Sequence, residues 1–143
     1  MATPDRSYEM RTGIFEVENC DVFLFALRKI AQDNNTTIIC FDADRLAGRK
    51  HANAAIRHAL RSFHEGAPIA NTLEMEALLY ASGSRQCSVA TAFGIHTGVN
   101  RAYVCCCPSV ETIWDALTPL VCWVIEDWED INPERRRLLK ALF

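Results

Sequence analysis

Between Arg45 and His64 the chain carries five Lys or Arg and three His, with no acidic residue among them. At i, i+4 spacing Arg49, Asn53, Arg57 and Arg61 share one side of a helix, with Lys50 and His64 beside them and His51 and His58 at the border of that side. Like charges placed this way repel by about 0.2–0.5 kcal/mol per pair. The chemistry such a row can do is anion binding, and a phosphate would relieve the repulsion. A solvated face balanced by acids elsewhere, such as the stretch near Glu126 to Asp130, satisfies the same pattern. Charge alone leaves both readings open.

A second candidate is Ser82-Gly83-Ser84-Arg85-Gln86. Small residues at a helix junction can expose backbone N–H groups to a phosphate or carboxylate, and Arg85 adds a charged fork. The alternative is a plain helix–helix turn, capped by Ser84, with Arg85 paired to Glu74 or Glu76. Asp42 and Asp44 form a possible carboxylate pair at a strand end, although helix capping by Asp44 accounts for them as well. The chain lacks a Gly-x-x-x-x-Gly-Lys phosphate loop, Gly-x-Gly-x-x-Gly, His-Glu-x-x-His and Gly-x-Ser-x-Gly.

Seven cysteines are present, with Cys105, Cys106 and Cys107 contiguous and no Cys-x-x-Cys pair. Successive strand residues point to opposite faces, so the triplet suits neither a local disulfide network nor one metal cage. Free thiols serving as small buried hydrophobes in a reducing compartment is the favoured reading, with metal binding and a Cys/His nucleophile as the others. No cofactor or metal is expected.

These residues need elements to place them. Tyr8 to Val17 reads as a strand, Val22 to Gln32 as a helix behind Asn19 and Asp21, and Thr36 to Phe41 as a buried strand. Gly48 precedes a helix whose stripe is Ala52, Ala55, Ile56, Ala59, Leu60 and Phe63, ended by Gly66. Asn71 or Thr72 caps a helix closed by Ser82-Gly83, and Ser84 starts another from Arg85 to Phe93. Val99 to Cys107 is a strand broken by Pro108, followed by a helix from Ser109 to about Leu117; Val121 to Ile125 is a short strand or an irregular packed segment. Asn132-Pro133 opens a terminal helix that gathers Leu138, Leu139, Leu142 and Phe143 behind an Arg triplet.

The expected architecture is a single mixed α/β domain over 1–143, with a small sheet of three to four strands packed with about six helices. Half the residues are hydrophobic and the net charge is −3, a globular composition. No apolar run is long enough to span a bilayer and no signal core opens the chain, so the expectation is a cytoplasmic protein without a membrane partner.

The order of segments resembles a known family. Phe41-Asp42-Ala43, Leu46-Ala47-Gly48, His51, Ala54-Ala55, Ala59 and Phe63 are followed by Ile69-Ala70-Asn71 and by the run Leu73 to Gln86, with its Leu-Leu-Tyr-Ala-Ser-Gly-Ser-Arg-Gln. Together with Ala90 and Gly94-Ile95, these look like the kinase-binding subunit of the KEOPS complex, the PRPK-binding protein family in an archaeal-type form. Cys87 stands where that family typically has Ile.

The resemblance implies a non-catalytic adaptor that binds the complex's small atypical kinase, and through it the other KEOPS subunits. It also implies recruitment of tRNA by its single-stranded 3′ CCA end for threonylcarbamoyladenosine modification. Carried over, the RNA-contacting positions are Lys50, His51, Arg57, Asn71, Arg85 and Gln86. The kinase contact is assigned to Leu138, Leu139, Leu142 and Phe143. A pure protein-interaction regulator of the kinase without RNA contact, and a small cysteine-dependent enzyme, are the alternatives.

Overall fold

The computed structural model describes residues 7–125 and Trp128. The terminal segment assigned to the kinase, with Leu138, Leu139, Leu142 and Phe143, lies outside the described residues, as does most of the acidic stretch near Glu126 to Asp130. Among the described residues four strands and five helices follow in the order β1 (Glu9–Val17), α1 (Cys20–Asp33), β2 (Thr37–Asp42), α2 (Arg49–His64), α3 (Leu73–Ser82), α4 (Cys87–Thr91), β3 (Gly98–Cys107), α5 (Thr112–Leu117) and β4 (Cys122–Val124). This is the α/β domain expected, built on one antiparallel sheet of order β2-β3-β1-β4.

Alternation along the strands divides the core in two. Ile39 and Phe41 of β2 and Tyr103, Cys105 and Cys107 of β3 pack with the stripe of α2, with α3 and with Ala90 of α4. Ile38, Cys40, Val104 and Cys106 point the other way, together with Phe15 and Val17, and pack with α1 and α5. The three adjacent cysteines are therefore buried but shared between opposite faces of β3. Burial raises the thiols of Cys40 and Cys105, which is the reverse of the environment that activates a cysteine nucleophile.

Val121 to Ile125, open between strand and irregular segment, contains the edge strand β4, paired antiparallel to β1. Gly13 makes that pairing possible: a Cβ built there would meet Val121 Cγ1 at 2.4 Å and the Trp123 ring at 3.2 Å. Two helices are shorter than periodicity suggests. Ser82 Oγ accepts from Ser84 N and Ser84 Oγ accepts from Gln86 N, so local side-chain bonds hold residues 84–86 in a turn and α4 starts only at Cys87. Ser109 N donates to the Ser7 carbonyl, tying the chain to β1's approach, and α5 begins at Thr112.

The expected capping role of Asp44 is not what the structure shows. Gly48, at φ +85°, is the N-cap of α2, and no side chain caps it. Asp44 pairs with Arg101 instead. Asp42 is buried, where its carboxylate accepts from Asp44 N at 2.9 Å and lies 3.6 Å from His96 Nε2 and 3.9 Å from Arg45 Nε. The two acids organise the β2–α2 connection and do not converge on a common point. Among the described residues no helix is long and apolar enough to cross a membrane.

Candidate nucleic-acid interface

The stripe of α2 buries Ala52, Ala55, Ile56, Ala59 and Leu60 against the sheet and α3, which fixes the rotation of the helix and so decides where each basic residue points. The basic row divides. Arg49 is half-buried; its Nη1 donates to the Met10 carbonyl at 3.0 Å and its guanidinium lies 5.8 Å from the Tyr103 ring centroid. Asn53 Oδ1 accepts from the Tyr8 hydroxyl at 2.9 Å. Burial raises the Tyr8 hydroxyl while the nearby Arg57 charge pulls it down, which puts Arg57 on the same side. The line Arg49–Asn53–Arg57 thus runs beside the approach to β1, and Arg49 and Asn53 are fastened there.

The other border of α2 faces α3 across a cleft of about 460 Å³, a size in the range of about 300–1,000 Å³ usual for ligand sites. α2 contributes His51, Ala54, Ala55 and His58. The α2–α3 connection contributes Ile69, and α3 with its following turn contributes Leu79, Tyr80, Gly83, Ser84 and Arg85. Periodicity aligned the basic residues with one another; packing instead brings the histidine border of α2 together with Arg85. Lys50 is exposed and lies one turn before Ala54 on the same helix face, at the margin of the cleft. Asn71 and Gln86 are exposed next to lining segments but do not line the cleft, and Arg57 does not line it either.

His51 is the hinge-pin of this arrangement. Its Nδ1 accepts from Ala47 N at 3.0 Å, which requires an unprotonated nitrogen, so Nε2 carries the hydrogen and donates to the Ala81 carbonyl at 2.9 Å. The ring therefore bridges the loop before α2 to the end of α3, and it serves the cleft by shape. Burial lowers its pKa, with the Ala81 bond opposing in part. The unfolded chain then binds the proton more readily, so the His51 contribution to stability is fully present above about pH 6.5 and is lost as pH falls through the lower folded value. A thermal melt series from pH 7.5 to 5 should show wild type losing stability across this window, with His51→Gln lacking that component. Parallel pH profiles for the two proteins would contradict it. Asp42, whose pKa burial raises, acts in the opposite sense from about pH 3.8 upward and cancels in the comparison.

His58, at the border of the basic side, and Tyr80, within the family-like run, are not among the RNA-contacting positions that the resemblance carries over. Their rings stack across the cleft margin, centroids 5.2 Å apart and 22° from parallel, and Tyr80 is held by a 2.6 Å bond between its hydroxyl and Ser62 Oγ. The signal in the sequence was the seven-residue step from His51 to His58, which returns a side chain to the same helix side after two turns.

In the Ser82–Gln86 turn, where backbone N–H groups could meet an anion, Gly83 N, Ser84 N and Gln86 N already donate within the turn or back into α3. The Arg85 guanidinium is the charged group that the turn presents to an anion. The expected alternative partners do not engage it, since Glu74 pairs with Arg28 at 2.9 Å and Glu76 is fully buried against backbone. Among the described residues, Lys50, Arg57, Arg61 and Arg85 make no ion pair. An apolar-walled cleft with stacked aromatic rings and unneutralised cations at its margin suits a ligand that combines flat rings with phosphate. No family model matches the chain, and no curated protein matches it.

Proposed function

We propose that this chain is a non-catalytic adaptor of a tRNA-modifying assembly, the kinase-binding subunit of a KEOPS complex, and that the cleft between α2 and α3 takes the single-stranded 3′ CCA end of tRNA. The observation that carries the reading is the meeting, in one cleft, of α2's histidine border and the Arg85 turn. Two further supports are the family-like run from Ile69 to Gln86 and the absence of acid partners for Lys50 and Arg85 among the described residues. Unstacked bases can lie on His58 and Tyr80, while Arg85 and Lys50 meet the phosphates. Of the positions carried over from the family, His51 then acts by holding the cleft's shape. Arg57, Asn71 and Gln86 would touch the RNA only outside the cleft proper. In this role the chain delivers tRNA to the complex that installs threonylcarbamoyladenosine, and its apolar C-terminal residues Leu138, Leu139, Leu142 and Phe143 hold the kinase.

The test compares a tRNA transcript with the same transcript lacking its CCA end in filter binding at fixed salt. One or two stacked bases contribute about 1–3 kcal/mol each, so removal of CCA should weaken binding by roughly tenfold or more. Equal affinities would sink the RNA reading. Loss of kinase co-purification in Arg57→Glu or Arg61→Glu would then favour a regulator that contacts protein alone.

A further inference from the structure

Of the carboxylates among the described residues only Asp42 and Glu76 are buried, and Glu76 is 0 % exposed. No Lys or Arg among the described residues pairs with it. Its compensation comes from backbone: Ile69 N donates to both oxygens at 2.9 and 3.1 Å, and Ala70 N donates to one of them at 2.7 Å. Two successive N–H groups closing on one anion form a nest. Because side chains on a helix lean toward its N-terminus, Glu76, in the first turn of α3, reaches back to draw the α2–α3 connection onto the helix.

The usual way to anchor a surface loop is to bury an apolar side chain and leave polar groups outside. Here the order is inverted. The charged group is buried and the apolar one is presented: Ile69 is 49 % exposed and lines the α2–α3 cleft. Burying a carboxylate is costly unless every lone pair is used, so a loop needing only attachment would be served more cheaply by an apolar anchor. What the carboxylate adds is a fixed backbone orientation at Ile69 and Ala70, which an apolar contact would not impose.

We infer that Glu76 is a positioning residue for the nucleic-acid cleft, setting the backbone of Ile69 and Ala70 so that the Ile69 side chain forms one wall of the site. This rests on the reading of the cleft as the seat of the tRNA 3′ end. Glu76 touches no RNA itself. Its oxygens are engaged by the loop, and its effect is transmitted through Ile69.

The test uses the whole chain, tRNA with and without CCA, and the variants Glu76→Gln, Glu76→Leu and Ile69→Ala, each melted first to establish that it is folded at the assay temperature. Gln keeps an oxygen able to accept from both N–H groups, so Glu76→Gln should retain the CCA-dependent gain in affinity within about threefold. Glu76→Leu keeps the bulk but has no acceptor, and should lose about tenfold or more of that gain while its affinity for tRNA lacking CCA stays at the wild-type level. A merely structural role would not produce that split between the two RNAs. If Glu76→Leu does not fold, Ile69→Ala carries the test: it leaves the carboxylate and its bonds in place and should lose the CCA-dependent gain. Full CCA dependence in folded Glu76→Leu, or in Ile69→Ala when Glu76→Leu cannot be assayed, overturns the inference and leaves the cleft reading standing. No CCA dependence in wild type overturns both.

Discussion

Replacing Arg85 by Glu is expected to weaken tRNA binding by roughly 30- to 160-fold, corresponding to about 2–3 kcal/mol for loss of a charge-assisted contact and its replacement by repulsion. Arg85 is exposed, lines the cleft beside Ser84 and has no ion-pair partner among the described residues, so the change removes ligand contact without breaking a structural bond seen there. The loss should be specific in two ways. It should largely disappear with tRNA lacking CCA. It should also shrink the slope of log affinity against log salt by about 0.7 for each single-strand phosphate contact removed. Arg61→Glu is the control, because Arg61 is also exposed but does not line the cleft, and a change within about threefold is expected there as for a rim charge. An Arg85→Glu protein that binds intact tRNA as wild type does would remove the cleft from the RNA path.

The largest effect on stability is expected at Phe41. It is 0 % exposed in β2 and packs in the cluster that joins the sheet to α2 and α3, with Ile39, Ile56, Ala59 and Tyr103. Phe41→Ala removes most of a ring from a layer bounded by strands on one side and helices on the other. Such a space collapses poorly, and the cost should be about 3–5 kcal/mol. That is a large share of the roughly 5–15 kcal/mol holding a domain together. In urea the midpoint should fall with an unchanged slope. A loss below about 1.5 kcal/mol would show that the α2 layer closes over the gap, contrary to the packing described. The same layer sets the rotation of α2, so RNA binding by this variant should be measured well below its melting temperature.

How much of this was legible in the chain differs from residue to residue. Leu27 within α1, the buried run through Phe41 and the alternation through Cys105, Cys106 and Cys107 follow from period and residue type, because an amphipathic helix or a doubly covered strand writes its environment into its own residues. Thr72 as a cap and Gly83, at φ +68°, as the end of α3 were equally local. The short α4 was not, since its start depends on whether Ser82 and Ser84 spend their hydroxyls on the turn. Glu76 looked like an ordinary first-turn helix acid, and its burial depends on a loop that reaches it from six and seven residues earlier.

The basic helix shows the division most clearly. That α2 exists, that it is amphipathic and that it bears cations without local acids are properties of residues 45–64 alone, because a helical period needs no partner to be read. Which of those cations face a common ligand is not such a property. Packing against the sheet turned Arg49 and Asn53 toward β1 and turned the His51–His58 border toward Arg85, far away in the chain. Spacing within one helix relates side chains only to each other; a site between two helices depends on the rotation of each about its own axis, and that is decided by the core beneath them.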